Sequence, residues 1–250
     1  MGVVLERRGP VAWLRMNRPE ALNAFDAPMI EAMRERVAEV ASDPEIRAVV
    51  LAGNGRAFCT GVDVKGLGQG SLGLEWFRDW HQMTGELERL DVPLIAAIQG
   101  HCLGGGLMLT LTADYRVAAD DLRIGLGAVR HGILPGSAPH RLAGAVGSVA
   151  ARRLCLFGEY LDVAEALRIG LVDRALPAAT LEATAGALAE HAASLAGGTI
   201  RELKGLLRQS ASLSDEAYEI AYLAAQQRCL AARSAARPAT SSYPPGHPLS

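Results

Sequence analysis

Hydrophobic and polar positions alternate over Val3–Leu5 and again over Val11–Met16, with Gly9-Pro10 between them. Period-two alternation around a Gly-Pro break predicts two strands joined as a hairpin. Beyond the hairpin the period lengthens. Asp26 precedes Met29, Met33, Val37 and Val40, a spacing that keeps one face apolar and predicts a helix capped by that aspartate. Short apolar runs then return at Ala48–Ala52, closed by Gly53-Asn54-Gly55, and at Pro93–Gln99, and both predict buried strands. Arg56–Gly61 reads as extended, Gly66–Gly73 as a mobile glycine-rich stretch and Glu75–Leu90 as a helix. After Gln99 a glycine turn leads into a helix to about Ala113. A strand follows over Asp114–Ala118, then helices over Pro139–Val146, Ser148–Phe157 and Val163–Ile169, then a strand over Leu171–Ala175.

The strand signal stops at Ala178. Ala178–Leu195, Ile200–Gln209 and Ser214–Ala232 predict helices, and the Ala-, Pro- and Ser-rich tail from Ala235 predicts disorder. The expected organisation is an α/β core over residues 1–196, a helical region over 197–234 and a tail over 235–250.

Composition narrows the function. Half of the 250 residues are hydrophobic, enough for a large core, and the net charge of −2 gives no basic footprint for nucleic acid. Cys59, Cys102, Cys155 and Cys229 are widely spaced and form no metal-ligand pattern, so they read as reduced thiols and no metal is expected. Glu6, Arg7 and Arg8 fall where a signal peptide needs its apolar segment, and no apolar run approaches the ~20 residues of a spanning helix. A cytoplasmic protein with no membrane partner is expected.

Residues 99–108 read Gln-Gly-His-Cys-Leu-Gly-Gly-Gly-Leu-Met, directly after the apolar run Leu94–Ile98. A strand entering a triple glycine and then a helix exposes backbone N–H groups that have no partner in the first turn. Such a turn suits an anionic oxygen. The dinucleotide fingerprint needs spaced glycines in the first βαβ unit, whereas these are contiguous and mid-chain.

Several segments, in order, resemble the crotonase superfamily, also called the enoyl-CoA hydratase/isomerase family. They are Asn17–Ala24 (Asn-Arg-Pro-Glu-Ala-Leu-Asn-Ala), Arg56–Lys65 (Arg-Ala-Phe-Cys-Thr-Gly-Val-Asp-Val-Lys), the Gln99–Gly106 turn with Ala113-Asp114, Gly132–Gly136 (Gly-Ile-Leu-Pro-Gly) and Ala164–Asp173. The resemblance implies a spiral of ββα repeats with C-terminal helices used in trimer assembly, as a homotrimer or a hexamer of two trimers. It implies acyl thioesters of coenzyme A, or of phosphopantetheine on an acyl-carrier protein, as substrates, with no prosthetic group. It places two oxyanion donors on the backbone N–H groups of Val62 and Gly105. It puts adenine and pantetheine near Ala21, Leu22 and Val62–Lys65 (Val62, Asp63, Val64, Lys65), with Gly104, Gly105, Met108 and Ala128 also in the substrate site and Arg18, Arg56 and Lys65 as phosphate partners.

The chain departs from the family's hydratases at two positions. Their first glutamate lies two residues after the third glycine, here Met108. Their second lies seven before the Pro-Gly pair, here Ala128. Hydration requires groups that orient and deprotonate water, and these side chains do neither. Gln99-Gly100-His101 and Arg130-His131-Gly132 look similar to decarboxylases of polyketide β-branching cassettes, which also lack both glutamates. Those enzymes use a lysine in the mobile loop and a histidine in the last helix. This chain has no lysine between Gly66 and Leu90 and no histidine in Ser214–Ala232. His81 resembles a catalytic histidine of 4-chlorobenzoyl-CoA dehalogenases, whose carboxylate nucleophile falls at Gly136. His131 and His81 are the proton-transfer candidates, and Arg78 and Arg130 candidates to hold a substrate carboxylate. The expected activity is a lyase or isomerase that holds a thioester enolate, by decarboxylation or double-bond isomerisation. The alternatives are a hydratase with relocated acids among Glu75, Asp79 and Glu86, and a non-catalytic thioester-binding or assembly subunit.

Overall fold

The computed structural model describes residues 2–63, 73–210 and 212–235. The expected glycine-rich stretch lies almost wholly outside the described residues, as do Val64, Lys65 and the tail beyond 235.

The hairpin forms from β1 (Val3–Arg8) and β2 (Val11–Met16), paired antiparallel. Asp26 caps α1 (Ala27–Ser42), its carboxylate accepting from Met29 N at 3.0 Å. Strands β3 (Ala48–Gly53), β5 (Leu94–Ile98), β7 (Tyr115–Ala119) and β10 (Arg174–Leu176) extend the sheet in parallel, giving the order β1-β2-β3-β5-β7-β10. Both faces of this sheet are covered, and strict alternation divides its residues between them. Ala12, Leu14, Met16, Val49, Leu51, Leu94, Ala96 and Ile98 enter the larger core with α1 and α2 (Leu74–Glu88). Val11, Trp13, Ala48, Val50, Ile95, Ala97, Val117 and Ala119 face α6 (Leu181–Ser194). That helix presents Ala185, Ala189 and Ala193 at four-residue spacing. Methyl side chains let its backbone lie close to the sheet.

A second, four-stranded sheet was not legible as such. It has the order β4-β6-β8-β9, from β4 (Ala57–Cys59), β6 (His101–Leu103), β8 (Arg123–Gly125) and β9 (Tyr160–Asp162). Each strand has three residues, too few to display a period. The first three continue strands of the large sheet after a bend. Between β5 and β6 the bend is Gly100, with φ +56, where a Cβ would stand 2.0 Å from Arg56 O. The resulting units, β3-β4-α2, β5-β6-α3 (Gly105–Thr110) and β7-β8-α4 (Ala138–Phe157), are the ββα repeats. Helix α4 is interrupted at Gly147, between the two segments predicted separately. Helix α5 (Val163–Arg168) precedes β10, which starts three residues later than predicted.

Residues up to Leu195 form one compact unit and those from Ala196 a second. In the second, α7 (Gly197–Gln209) packs on α8 (Asp215–Ala235), joined by an Arg228–Glu202 ion pair at 2.6 Å. No described helix is long and apolar enough to cross a membrane.

Candidate active site

The triple glycine sits where β6 turns into α3. The helix opens at Gly105, two residues before the expected Leu107, so Gly105 N–H is a first-turn donor with no partner in the helix. Gly104 is fixed beside it, donating to Gly125 O at 2.8 Å and accepting from Met108 N at 3.2 Å.

The second donor comes from the segment after β4. Phe25 N donates to Gly61 O at 2.7 Å, and Asp63 N donates to Phe25 O at 2.9 Å. This parallel bridge uses the groups flanking Val62, so the N–H of Val62 itself points away from Phe25. Gly61 brings the two segments together. At φ +88 it packs so closely that a Cβ on it would stand 2.5 Å from Gly105 N. The segments that carry the two expected donors thus lie against each other.

The Asn17–Ala24 motif builds the support beneath them. Asn23 is fully buried at φ +56, and its Nδ2 donates to Ala57 O at 2.8 Å, Asn54 O at 3.0 Å and Phe58 O at 3.1 Å. Its Oδ1 accepts from Arg18 N at 2.9 Å. Leu22, at φ +54, receives Thr60 N on its carbonyl at 3.2 Å. Ala21 closes the 3₁₀ turn Pro19–Ala21. The Arg18 guanidinium, expected on a phosphate, pairs with Asp26 and Asp63 at 3.1 Å each and donates to Ala24 O at 3.1 Å. It therefore ties the residue after Val62 to the cap of α1.

An open cavity with a mostly apolar lining lies against both segments. Val62, Gly104, Gly105, Met108, Ala128 and His131, all expected at the site, line it. Its apolar wall was not foreseen. Trp76 and Trp80 stack at 5.6 Å, Phe77 meets Trp76 edge-on at 5.2 Å, and Trp80 crosses Gly105, 2.9 Å from where a Cβ would lie. Their positions on a helix face next to the glycine loop were the available signal. Met108 is buried, and its Cε would be 2.6 Å from a Cβ on Gly136.

Other expected residues lie elsewhere. His81 is exposed and outside the cavity lining, because it follows Trp80 by one position and is turned roughly 100° around α2. Arg78 pairs with Glu75 at 2.6 Å. Arg130 donates to Gly158 O at 2.9 Å and lies over the Tyr160 ring. Arg56 and His101 are exposed, and Asp114 accepts from Leu94 N at 2.8 Å. Beneath the donors, Cys59 Sγ accepts from Gly61 N at 3.3 Å. Burial pushes the Cys59 thiol up to about 12 and raises that of Cys102 as well, so neither is an activated nucleophile. Among the described residues, no cluster of three or more His, Cys, Asp or Glu side chains is arranged to hold a metal.

The sequence profile of the enoyl-CoA hydratase/isomerase family matches residues 6–236. The chain belongs to this family. It is 35% identical over 199 residues to a probable enoyl-CoA hydratase of Mycobacterium bovis, covering 78% of this chain and 77% of the relative. It is 35% identical to the (E)-benzylidenesuccinyl-CoA hydratase of Thauera aromatica over 208 residues, 82% and 81% of the two chains. The structure of a putative enoyl-CoA hydratase from Streptomyces coelicolor A3(2) superposes with a TM-score of 0.88 at 29% identity, covering 92% of this chain and 87% of that one. The expected crotonase-type α/β fold is therefore the observed one.

Proposed function

We propose that this enoyl-CoA hydratase/isomerase family member converts an acyl-CoA or acyl-carrier-protein thioester through an enolate, by decarboxylation or double-bond isomerisation. The enolate oxygen is held by the N–H groups of Val62 and Gly105. Coenzyme A or phosphopantetheine enters as part of the substrate. The observation that carries the choice of reaction is the cavity wall. Among the described residues no carboxylate lines it, and its lining includes Met108 and Ala128, the positions at which the family resemblance expects the hydratase glutamates. Residues 64–72, outside the described set, include no Asp or Glu either. Enolate stabilisation needs only the donors, worth about 3–4 kcal/mol each in the transition state. Water addition by the two-glutamate route needs a pair of carboxylates, and among the described residues none lines this cavity.

Hydration is the second reading, favoured by the printed names of the relatives. The acids that would serve it are engaged elsewhere. Glu75 pairs with Arg78 and Glu86 with Arg34, and Asp79 does not line the cavity. The test is incubation with crotonyl-, 3-enoyl-, malonyl- and glutaconyl-CoA, read by mass spectrometry. Loss of CO2 or a shifted double bond supports the proposal. Formation of 3-hydroxybutyryl-CoA from crotonyl-CoA would overturn it in favour of hydration. Binding of CoA with no turnover on any thioester would favour an assembly subunit. Assembly as a homotrimer or hexamer is proposed from the family pattern, and sedimentation equilibrium measures it.

A further inference from the structure

An enolate on this site must receive a proton at carbon, and we infer that the phenol of Tyr160 supplies it. The inference rests on the enolate reading above. Tyr160 opens β9 and pairs with Gly125 across the antiparallel β8–β9 ladder. Its ring runs from Gly125, the last residue of β8, to Gly127 beyond the strand's end, two residues that lack side chains. Its Cδ1 would be 2.6 Å from a Cβ on Gly125, and its Oη 2.6 Å from a Cβ on Gly127. Any side chain at Gly127 would occupy the place of the hydroxyl. The next residue is Ala128, where the second hydratase carboxylate would stand, and its methyl group leaves that space open. The phenol oxygen is therefore delivered from a different strand to the edge of the missing acid, inside the same cavity.

The ring is held in place. The Arg130 guanidinium lies 5.3 Å from its centroid and is itself anchored by donation to Gly158 O at 2.9 Å. Among the described residues no hydrogen bond engages Tyr160 Oη, so its proton is uncommitted. The residue is 46% exposed, which gives the phenolate a route to solvent. In the step, the Tyr160 O–H bond breaks and a C–H bond forms at the enolate carbon. The enolate electron pair becomes that bond, the thioester carbonyl is restored at the two donors, and water reprotonates the phenolate. The fuel for the step is the enolate itself, whose carbon is a much stronger base than a phenolate.

His131 lines the cavity too, at the exposed end of the 3₁₀ turn Ala128–His131, and is the competitor that the experiment must separate. Tyr160→Phe and His131→Gln are compared with the unaltered protein on the thioester it converts, reading kcat, KM, Tm and the pH profile. Tyr160→Phe is expected to lower kcat about 100-fold or more, the scale of a lost general acid, with KM and Tm unchanged. The unaltered protein is expected to show a flat kcat profile across the pH range where imidazoles lose their proton, which a histidine acid would not give. Tyr160→Phe with more than about a tenth of normal kcat overturns the assignment. So does a loss confined to His131→Gln. Gly61→Ala separates the two levels. If it abolishes turnover while Tyr160→Phe does not, the enolate reading stands and the Tyr160 assignment falls. If the unaltered protein converts no thioester, both fall.

Discussion

Gly61→Ala tests the geometry on which the chemistry depends. The added methyl would lie 2.5 Å from Gly105 N, 3.0 Å from Leu103 O and 3.2 Å from Gly105 Cα. All three are backbone atoms and cannot swing aside as a side chain would. Ordinary contact is reached only if the Val62 and Gly105 segments part by roughly 1 Å, and a misplacement of that size at a reacting centre costs about 100-fold. Loss of one oxyanion donor is of the same order, about 100- to 1,000-fold. A φ of +88 on an L-residue adds roughly 1–2 kcal/mol of strain. The expected outcome is kcat reduced about 100-fold, equivalent to about 2.7 kcal/mol, and a Tm lower by about 2–8 °C. Gly9→Ala is the control. It has φ +58 but nothing within 4 Å of the new methyl, so it carries similar backbone strain without displacing anything. It should lose stability by roughly 1–2 kcal/mol and keep kcat. A folded Gly61→Ala protein with kcat within about threefold of normal would refute the reasoning, because the donors would then not depend on that contact.

Asn23→Ala removes three donor contacts to buried carbonyls and places alanine at φ +56, and should lower the urea-derived stability by about 3 kcal/mol; a loss under about 1 kcal/mol would show that water replaces the amide. The Cys59 thiol titrates near 12 in the fold but in the ordinary thiol range when unfolded, so the unfolded chain sheds its proton first. Stability should therefore be full below the ordinary thiol range and fall as pH rises toward about 12, and Cys59 and Cys102 should resist a thiol reagent at pH 8 until denaturant is added. Combining Met108→Glu with Ala128→Glu restores the two carboxylates, and should create hydration of crotonyl-CoA that neither single change gives, at a stability cost of about 2–3 kcal/mol for the acid placed at buried Met108. A double variant that folds, binds crotonyl-CoA and forms no hydroxyacyl product would count against the roles assigned to those positions.

The large sheet, the three-residue β10 apart, was legible because its strands are long enough to show alternation or a continuous apolar run, and α1 because Asp26 and four apolar positions mark its start and face. The second sheet was not, since three residues such as His101–Leu103 or Tyr160–Asp162 carry no period. The same limit hid Tyr160, whose approach to Gly127 depends on the pairing of β8 with β9. His81 shows the converse. Its segment resembled a catalytic one, but Trp80 occupies the inward position on α2 and leaves the next residue in solvent. Arg18 was expected at a phosphate from its place in the motif, and only the folded chain shows its guanidinium between Asp26 and Asp63.

The sequence alone determined the family, and it pointed to the two proposed backbone donors and to Met108 and Ala128 in place of hydratase carboxylates, because each is a matter of residue identity at a fixed place in a motif. Tertiary structure decided which side chains share the cavity with those donors. Val62 and Gly105 are 43 positions apart and Gly105 and Tyr160 are 55 apart, counted along the chain. Only the folding of the ββα units over one another, through contacts as close as that of Gly61 with Gly105, brings them to one wall. Local pattern cannot encode such distances, because they are set by how separate elements pack and not by the residues of any one of them.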